Sequence, residues 1–120
     1  MANILIAEDD VLTRELVCNV IRGLGHVPFE AGDGLEAVEA VKNHRLDLLI
    51  LDIGMPKMDG MQALKPIREI APMVPILMLT VWAERSYMEF AHQYHVLDYC
   101  LKPFKVYDLE SKIIQSLSPR

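Results

Sequence analysis

Leu48-Leu49-Ile50-Leu51-Asp52 is a run of four large apolar residues closed by a carboxylate. Its polarity does not alternate, so a strand built from it is apolar on both faces and suits the middle of a parallel sheet covered by helices on each side. Ile4-Leu5-Ile6-Ala7 and Ile76-Leu77-Met78-Leu79 have the same character, and polar residues close them too, Glu8-Asp9-Asp10 and Thr80 respectively. These three segments are expected as the central strands. Val27 to Glu30 contains Pro28, which cannot donate within a ladder, and Asp98 to Leu101 is mixed in polarity, so both are expected at the edges.

Helical patterns fill the intervals. Leu12, Leu16, Val17, Val20, Ile21 and Leu24 form an apolar band that Gly25 ends, and Leu35, Val38 and Val41 repeat it after Gly32-Asp33-Gly34. Leu64, Ile67 and Ala71 share one face of a third helix over Met61 to Ala71, where Pro66 predicts a kink or a late start. A fourth helix is expected over Ala83 to Tyr94, with Met88 and Ala91 inward and an apolar outer face. A fifth places Val106, Leu109, Ile113 and Leu117 together, with Asp108 in its first turn. Strands alternating with helices predict a doubly wound α/β domain with a parallel sheet and right-handed crossovers.

The chain has 120 residues, 52% of them hydrophobic and 24% charged, which fits one packed domain over 1–120, either whole or the N-terminal part of a longer protein. No apolar run is long enough to span a bilayer and the start lacks the pattern of an export signal, so the expected location is the cytoplasm. A net charge of −5 without a basic patch argues against direct nucleic-acid binding. Cys18 and Cys100 have no metal-ligand spacing and are expected as buried thiols. His92 and His95 are expected as surface residues, and most of the seven methionines as core filler.

In a doubly wound sheet, ligands bind at the carboxyl ends of the strands. Glu8 and Asp9 follow the first strand, Asp52 closes the third, Thr80 closes the fourth and Lys102 follows the fifth, so all of them are expected at one edge. Three converging carboxylates repel unless a cation is shared, and oxygen donors without His or Cys favour a hard ion such as Mg²⁺. A carboxylate already ionised at neutral pH needs no general base to attack a phosphorus whose charge the metal neutralises, so Asp52 can be the nucleophile. Lys102 would balance a phosphoryl oxygen, and the Thr80 hydroxyl would donate to another.

Those residues, in order with Leu51-Asp52-Ile53-Gly54-Met55-Pro56, Met58-Asp59-Gly60 and Lys102-Pro103-Phe104, resemble the receiver domain of two-component response regulators over essentially the whole chain. The resemblance implies a flavodoxin-like (βα)5 fold of strand order 2-1-3-4-5, and phosphoryl transfer to Asp52 from a sensor histidine kinase or phosphotransfer protein. It implies Mg²⁺ held by Glu8, Asp9, Asp52 and the backbone carbonyl of Gly54, with Asp10 as a flanking residue. Thr80 and Tyr99 are its switch pair, and the fourth helix, fifth strand and fifth helix its output face. It also implies a homodimer or a downstream partner on phosphorylation, a slow self-dephosphorylation in place of turnover, and a cis peptide before Pro103.

Taken singly, the same residues have blander roles. Asp10 suits a helix cap, Asp52 a turn, Lys102 an exposed charge, Thr80 a strand hydroxyl, Tyr99 a packing residue and Gly60 a backbone requirement or helix start. Their combination favours the site. An aspartate-nucleophile phosphohydrolase would need a second Asp where Gly54 stands, and a nucleotide or flavin carrier would need Gly, Ser or Thr where Glu8-Asp9-Asp10 stands. A receiver-like domain that only dimerises would have no use for the full acidic, Thr and Lys set. Two departures from the family's pattern stand out. Val81-Trp82 places bulk beside the acceptor, which with Gly54 is expected to alter water access and phosphate lifetime. His95-Val96 replaces the usual Gly-Ala before the last strand, which leaves the geometry of that loop and the choice of partner open.

Overall fold

The computed structural model describes residues 1–81 and 85–118. Trp82, on which the water-access expectation falls, lies outside them, as do Ala83 and Glu84 at the start of the expected fourth helix and Pro119 and Arg120 at the end of the chain. Strands and helices alternate as β1 (Asn3–Ala7), α1 (Val11–Gly23), β2 (Val27–Ala31), α2 (Gly34–Asn43), β3 (Leu48–Asp52), α3 (Gly60–Ile70), β4 (Ile76–Thr80), α4 (Arg85–His92), β5 (Asp98–Leu101) and α5 (Val106–Leu117). The sheet is parallel throughout, in the order β2-β1-β3-β4-β5, so the mixed strands β2 and β5 are its edges.

The apolar runs are buried on both faces because successive side chains point to opposite sides of a strand. Leu5, Leu49, Leu51, Ile76 and Met78 pack with Ala37, Val41, Leu64, Ile67 and Ala91, joining the sheet to α2, α3 and α4. Ile4, Ile6, Leu48, Ile50, Leu77 and Leu79 pack on the other side with Val17, Ile21, Leu109 and Ile113 of α1 and α5. Each fully buried Leu or Ile contributes about 1.5–3 kcal/mol relative to an exposed one. Aspartates start three of the helices: Asp10, Asp33 and Asp59 accept from the backbone N–H groups of Thr13, Glu36 and Gln62 at 2.9, 2.8 and 2.8 Å. Asp59 and Gln62 close a reciprocal capping box, since the Asp59 N–H donates back to Gln62 at 3.1 Å. Gly25, at φ +87°, follows the end of α1.

The packing corrects several expected inner faces. Leu12 is 76% exposed, and Leu16, Leu35 and Val106 are exposed as well, while the small side chains Cys18, Ala37 and Ala63 fill the inner positions. Met73 is 89% exposed, whereas Met55 and Met78 lie in the core. Both cysteines are buried free thiols, with burial pushing Cys18 up to about 11. α3 runs through Pro66 from Gly60 and does not start late. The proline ring cannot donate to the Gln62 carbonyl, and it lies half-buried on the helix flank. Lys102-Pro103 is a cis peptide.

The turn from α4 to β5 shows what His95 stands in for. Its φ is +58°, in the left-handed region, and the Val96 N–H returns to the Ala91 carbonyl at 3.4 Å in the manner of a glycine-type helix end. Arg68 of α3 stitches this turn down, donating to the carbonyls of Tyr94 at 2.6 Å, Val74 at 2.5 Å and His95 at 3.2 Å. A non-glycine residue in that region costs roughly 1–2 kcal/mol, part of which glycine returns through its freer unfolded chain. His95→Gly is therefore expected to stabilise the protein by about 0.5–1 kcal/mol in urea unfolding; a drop in the midpoint would contradict this account of the turn.

Candidate functional site

Strand register brings the polar residues together. Ala7 is level with Leu51, Asp52 with Leu79, and Thr80 with Leu101, so Glu8, Asp52, Thr80 and Lys102 fall within a step of one another along the carboxyl edge. The order β2-β1-β3 makes the chain change direction across the sheet between β1 and β3, the point where doubly wound folds leave a crevice. Glu8 is 1% exposed, Asp52 6% and Thr80 0%, whereas Asp9 faces solvent.

The backbone around these residues is tied closely. The Glu8 N–H donates to the Ala31 carbonyl at 3.0 Å, and the Lys102 N–H to the Thr80 carbonyl at 2.8 Å. Glu8 Oε2 accepts from the Asp10 N–H at 3.2 Å, and the Gly54 N–H donates to Asp52 Oδ1 at 3.3 Å. Asp10 also caps α1 through both the N–H and the hydroxyl of Thr13, which hold its carboxyl below the usual range. It therefore serves the helix start, as its flanking place suggested.

Lys102 Nζ donates to Glu8 Oε1 and lies 3.3 Å from Asp52 Oδ2. Burial pushes the Glu8 carboxyl above its ordinary value of 4.5, with Lys102 pulling it back and Asp52 adding to the rise. Burial works to lower the Lys102 ammonium, but its bond to Glu8 and the charge of Asp52 outweigh that and hold it above 10.5. Asp9 is raised by partial burial and by neighbouring Glu8. One ammonium thus pairs with the two buried carboxylates, and a third acid stands beside them.

Glu8, Asp9 and Asp52 can each offer an oxygen within 4.8 Å of the others. Oxygens around a six-coordinate Mg²⁺ lie about 3–4 Å apart, so small side-chain movements bring this set into register around one ion. An all-carboxylate set selects a hard cation, and the exposed Asp9 side leaves room for the waters Mg²⁺ retains. The residues present fit a divalent cation, and among the described residues no other acidic, His or Cys cluster does. His92 and His95 are both exposed and belong to no such group.

The loop after Asp52 depends on two close approaches. A Cβ on Gly60 would stand 2.3 Å from the Asp52 carbonyl oxygen, and one on Gly34 would stand 2.0 Å from the Met58 carbonyl oxygen. Gly60 does begin α3 as expected, but contact with the backbone of Asp52 explains its missing side chain. The Gly34 N–H donates to the Met58 carbonyl at 2.8 Å, fastening the loop to the start of α2. Lys57, at φ +64°, sits at the centre of a three-residue turn closed from Met58 N–H to Pro56 carbonyl at 2.7 Å. Its ammonium reaches Asp33 Oδ2 at 3.5 Å.

Arg14 and Lys57 hold the loops of the site without having been singled out from sequence, and Asp33 and Gly34, read there only as a turn, do so too. Arg14 had left a signal: it shares an inner helical stripe with Cys18 and Ile21, an unusual place for a charge. Tyr99 is half-buried on β5 and its hydroxyl donates to the Met88 carbonyl of α4 at 3.1 Å. Lys112 of α5 holds Asp98 beside it at 2.8 Å.

Fold and site together define a doubly wound α/β domain with a carboxylate cluster suited to a divalent cation at the switch point of its sheet. The chain belongs to the response regulator receiver domains, whose family model matches residues 4–114. The acidic triad at its strand ends is the arrangement of an aspartyl phosphoacceptor and Mg²⁺ site typical of that family. It is 39% identical over 107 residues to the transcriptional regulatory protein PdtaR of Mycobacterium tuberculosis, covering 88% of this chain and 52% of that protein. The chain thus spans about half the length of that relative. A CheY-like receiver domain protein from Methanospirillum hungatei superposes with a TM-score of 0.93 at 25% identity, over 98% of this chain and 94% of the other. The receiver domain of the sensor histidine kinase PA1611 from Pseudomonas aeruginosa, whose structure has a magnesium ion coordinated in its active site cleft, superposes with a TM-score of 0.87 at 30% identity over 97% of each chain. No helix among the described residues is long and apolar enough to cross a membrane.

Because the Glu8 carboxyl is raised in the folded chain, its contribution to stability is complete below about 4.5 and is lost as pH climbs through the folded value. The stability of Glu8→Gln relative to the parent is therefore expected to rise between pH 4.5 and neutrality in urea unfolding without divalent cation. A difference that stays flat or falls over that window would contradict the burial of an ionisable Glu8.

Proposed function

We propose that this domain is a switch in which Asp52 accepts a phosphoryl group from the phosphohistidine of a sensor kinase or phosphotransfer protein. The observation that carries the reading is the convergence at Asp52 of Lys102 from the end of β5 and two further carboxylates from the end of β1. A divalent cation held by Glu8, Asp9, Asp52 and the Gly54 carbonyl would neutralise phosphoryl charge and orient the transferring group. The chain's own residues supply the remainder. An Asp52 oxygen attacks phosphorus as the bond from phosphorus to the donor nitrogen breaks, and the electron pair of that bond stays on the donor imidazole. The Lys102 ammonium moves from the carboxylates to a phosphoryl oxygen, and the Thr80 hydroxyl donates to another.

Such a domain transfers information rather than turning over a substrate: water slowly hydrolyses the acyl phosphate and returns Asp52. Movement of Thr80 towards the phosphoryl group changes the packing against β5. Tyr99, bonded to the α4 backbone, carries that change to the surface formed by α4, β5 and α5, where a homodimer partner or a downstream protein reads it. The domain's acidity leaves nucleic-acid contact to any other part of the protein.

Incubation with acetyl phosphate and Mg²⁺ followed by intact-mass measurement is expected to give one phosphoryl adduct on the parent. None is expected without Mg²⁺ or on Asp52→Asn. An adduct that forms equally on Asp52→Asn would overturn the assignment.

A further inference from the structure

Arg14 is the one cation on the inner side of α1 whose bonds run towards the acidic loop. Its Nη1 donates to the Glu8 carbonyl at 2.8 Å and its Nε to Glu30 Oε1 of β2 at 3.1 Å, with only 20% of the side chain exposed. The Glu8 carbonyl belongs to the planar peptide unit that joins Glu8 to Asp9, so holding that oxygen sets the plane connecting the two α-carbons. The Glu8 N–H, on the other side of the residue, is held by the Ala31 carbonyl at 3.0 Å. Main chain on both sides of Glu8 is therefore tied to β2, directly at the N–H and through Arg14 and Glu30 at the carbonyl.

We propose that Arg14 is a positioning residue for the cation site: by fixing the Glu8-Asp9 peptide plane, it aims both carboxylates at the place where Asp52 supplies the third. The inference rests on the metal-binding reading given above. A guanidinium suits the task because its planar fork meets two acceptors at a set angle, which a lysine ammonium on a flexible stem does not do. Two other roles give different signs. A residue that only completes a buried hydrogen bond lowers folding stability and leaves cation affinity unchanged. A residue that acts only through its charge repels Mg²⁺, so that removing it tightens binding.

Calorimetric titration of Mg²⁺ into the parent, Arg14→Met, Arg14→Lys and Glu30→Gln separates them, with urea unfolding run in parallel. Arg14→Met is expected to raise the Mg²⁺ Kd about tenfold, the scale seen when a ligand's supporting hydrogen bond is lost. Arg14→Lys and Glu30→Gln are expected to raise it by less, and phosphorylation of all three by acetyl phosphate recovers the parent rate at saturating Mg²⁺. An unchanged or lower Kd in Arg14→Met overturns the proposal. Should that variant fail to fold, Arg14→Lys decides, since it keeps the charge without the fork; a parent-like Kd overturns the proposal there too. A parent that takes up no Mg²⁺ overturns the metal-binding reading itself.

Discussion

The ammonium of Lys102 held against Glu8 and Asp52 is the interaction on which the arrangement depends. Glu8 and Asp52 are both buried at the edge of the sheet, and burying carboxylates near each other without compensation costs several kcal/mol per ion. Four separate strand ends contribute to the solution. β1 and β3 bring the carboxylates side by side, β4 sets Thr80 one position further on, and β5 delivers Lys102 across the cleft. A parallel sheet does this well, since every strand ends at the same edge and the central strands are fixed by apolar contacts on both faces. The same compensation leaves the site able to change state: one ammonium stands against three clustered acids and pairs with two of them, so a divalent ion or a phosphoryl group has charge to work on.

Precision around Asp52 comes from backbone contacts more than from side chains. Gly60 lies against the carbonyl of Asp52, Gly34 lies against that of Met58, and the strained turn at Lys57 is tethered to Asp33. The loop that carries Gly54 is thereby clamped between the starts of α2 and α3. Arg14 does for the first acidic loop what these contacts do for the second.

What could be read from sequence divides along the same line. Leu48 to Asp52 and its two companions announced central strands because a fully covered strand needs no polar alternation, and the edge positions of β2 and β5 followed from Pro28 and mixed polarity. The strand order came through resemblance and not from periodicity. Helix faces were less legible: Leu12, Leu16, Leu35 and Val106 continue apolar bands but lie outside, since a band wider than the buried stripe does not say which part of it meets the sheet. Glu8, Asp52, Thr80 and Lys102 were legible as strand-end residues. The close approaches of Gly34 and Gly60, the left-handed His95 and the reach of Arg14 depend on which segments meet in space, which local sequence does not record.

Asp52 is proposed as the site of the chemistry in preference to the more exposed carboxylates beside it. Reductive trapping with borohydride after acetyl phosphate and Mg²⁺ treatment converts an aspartyl phosphate to homoserine, which tandem mass spectrometry of the peptides locates. Homoserine is expected at position 52. Homoserine at position 9 or 10 instead, with residue 52 intact, would contradict it.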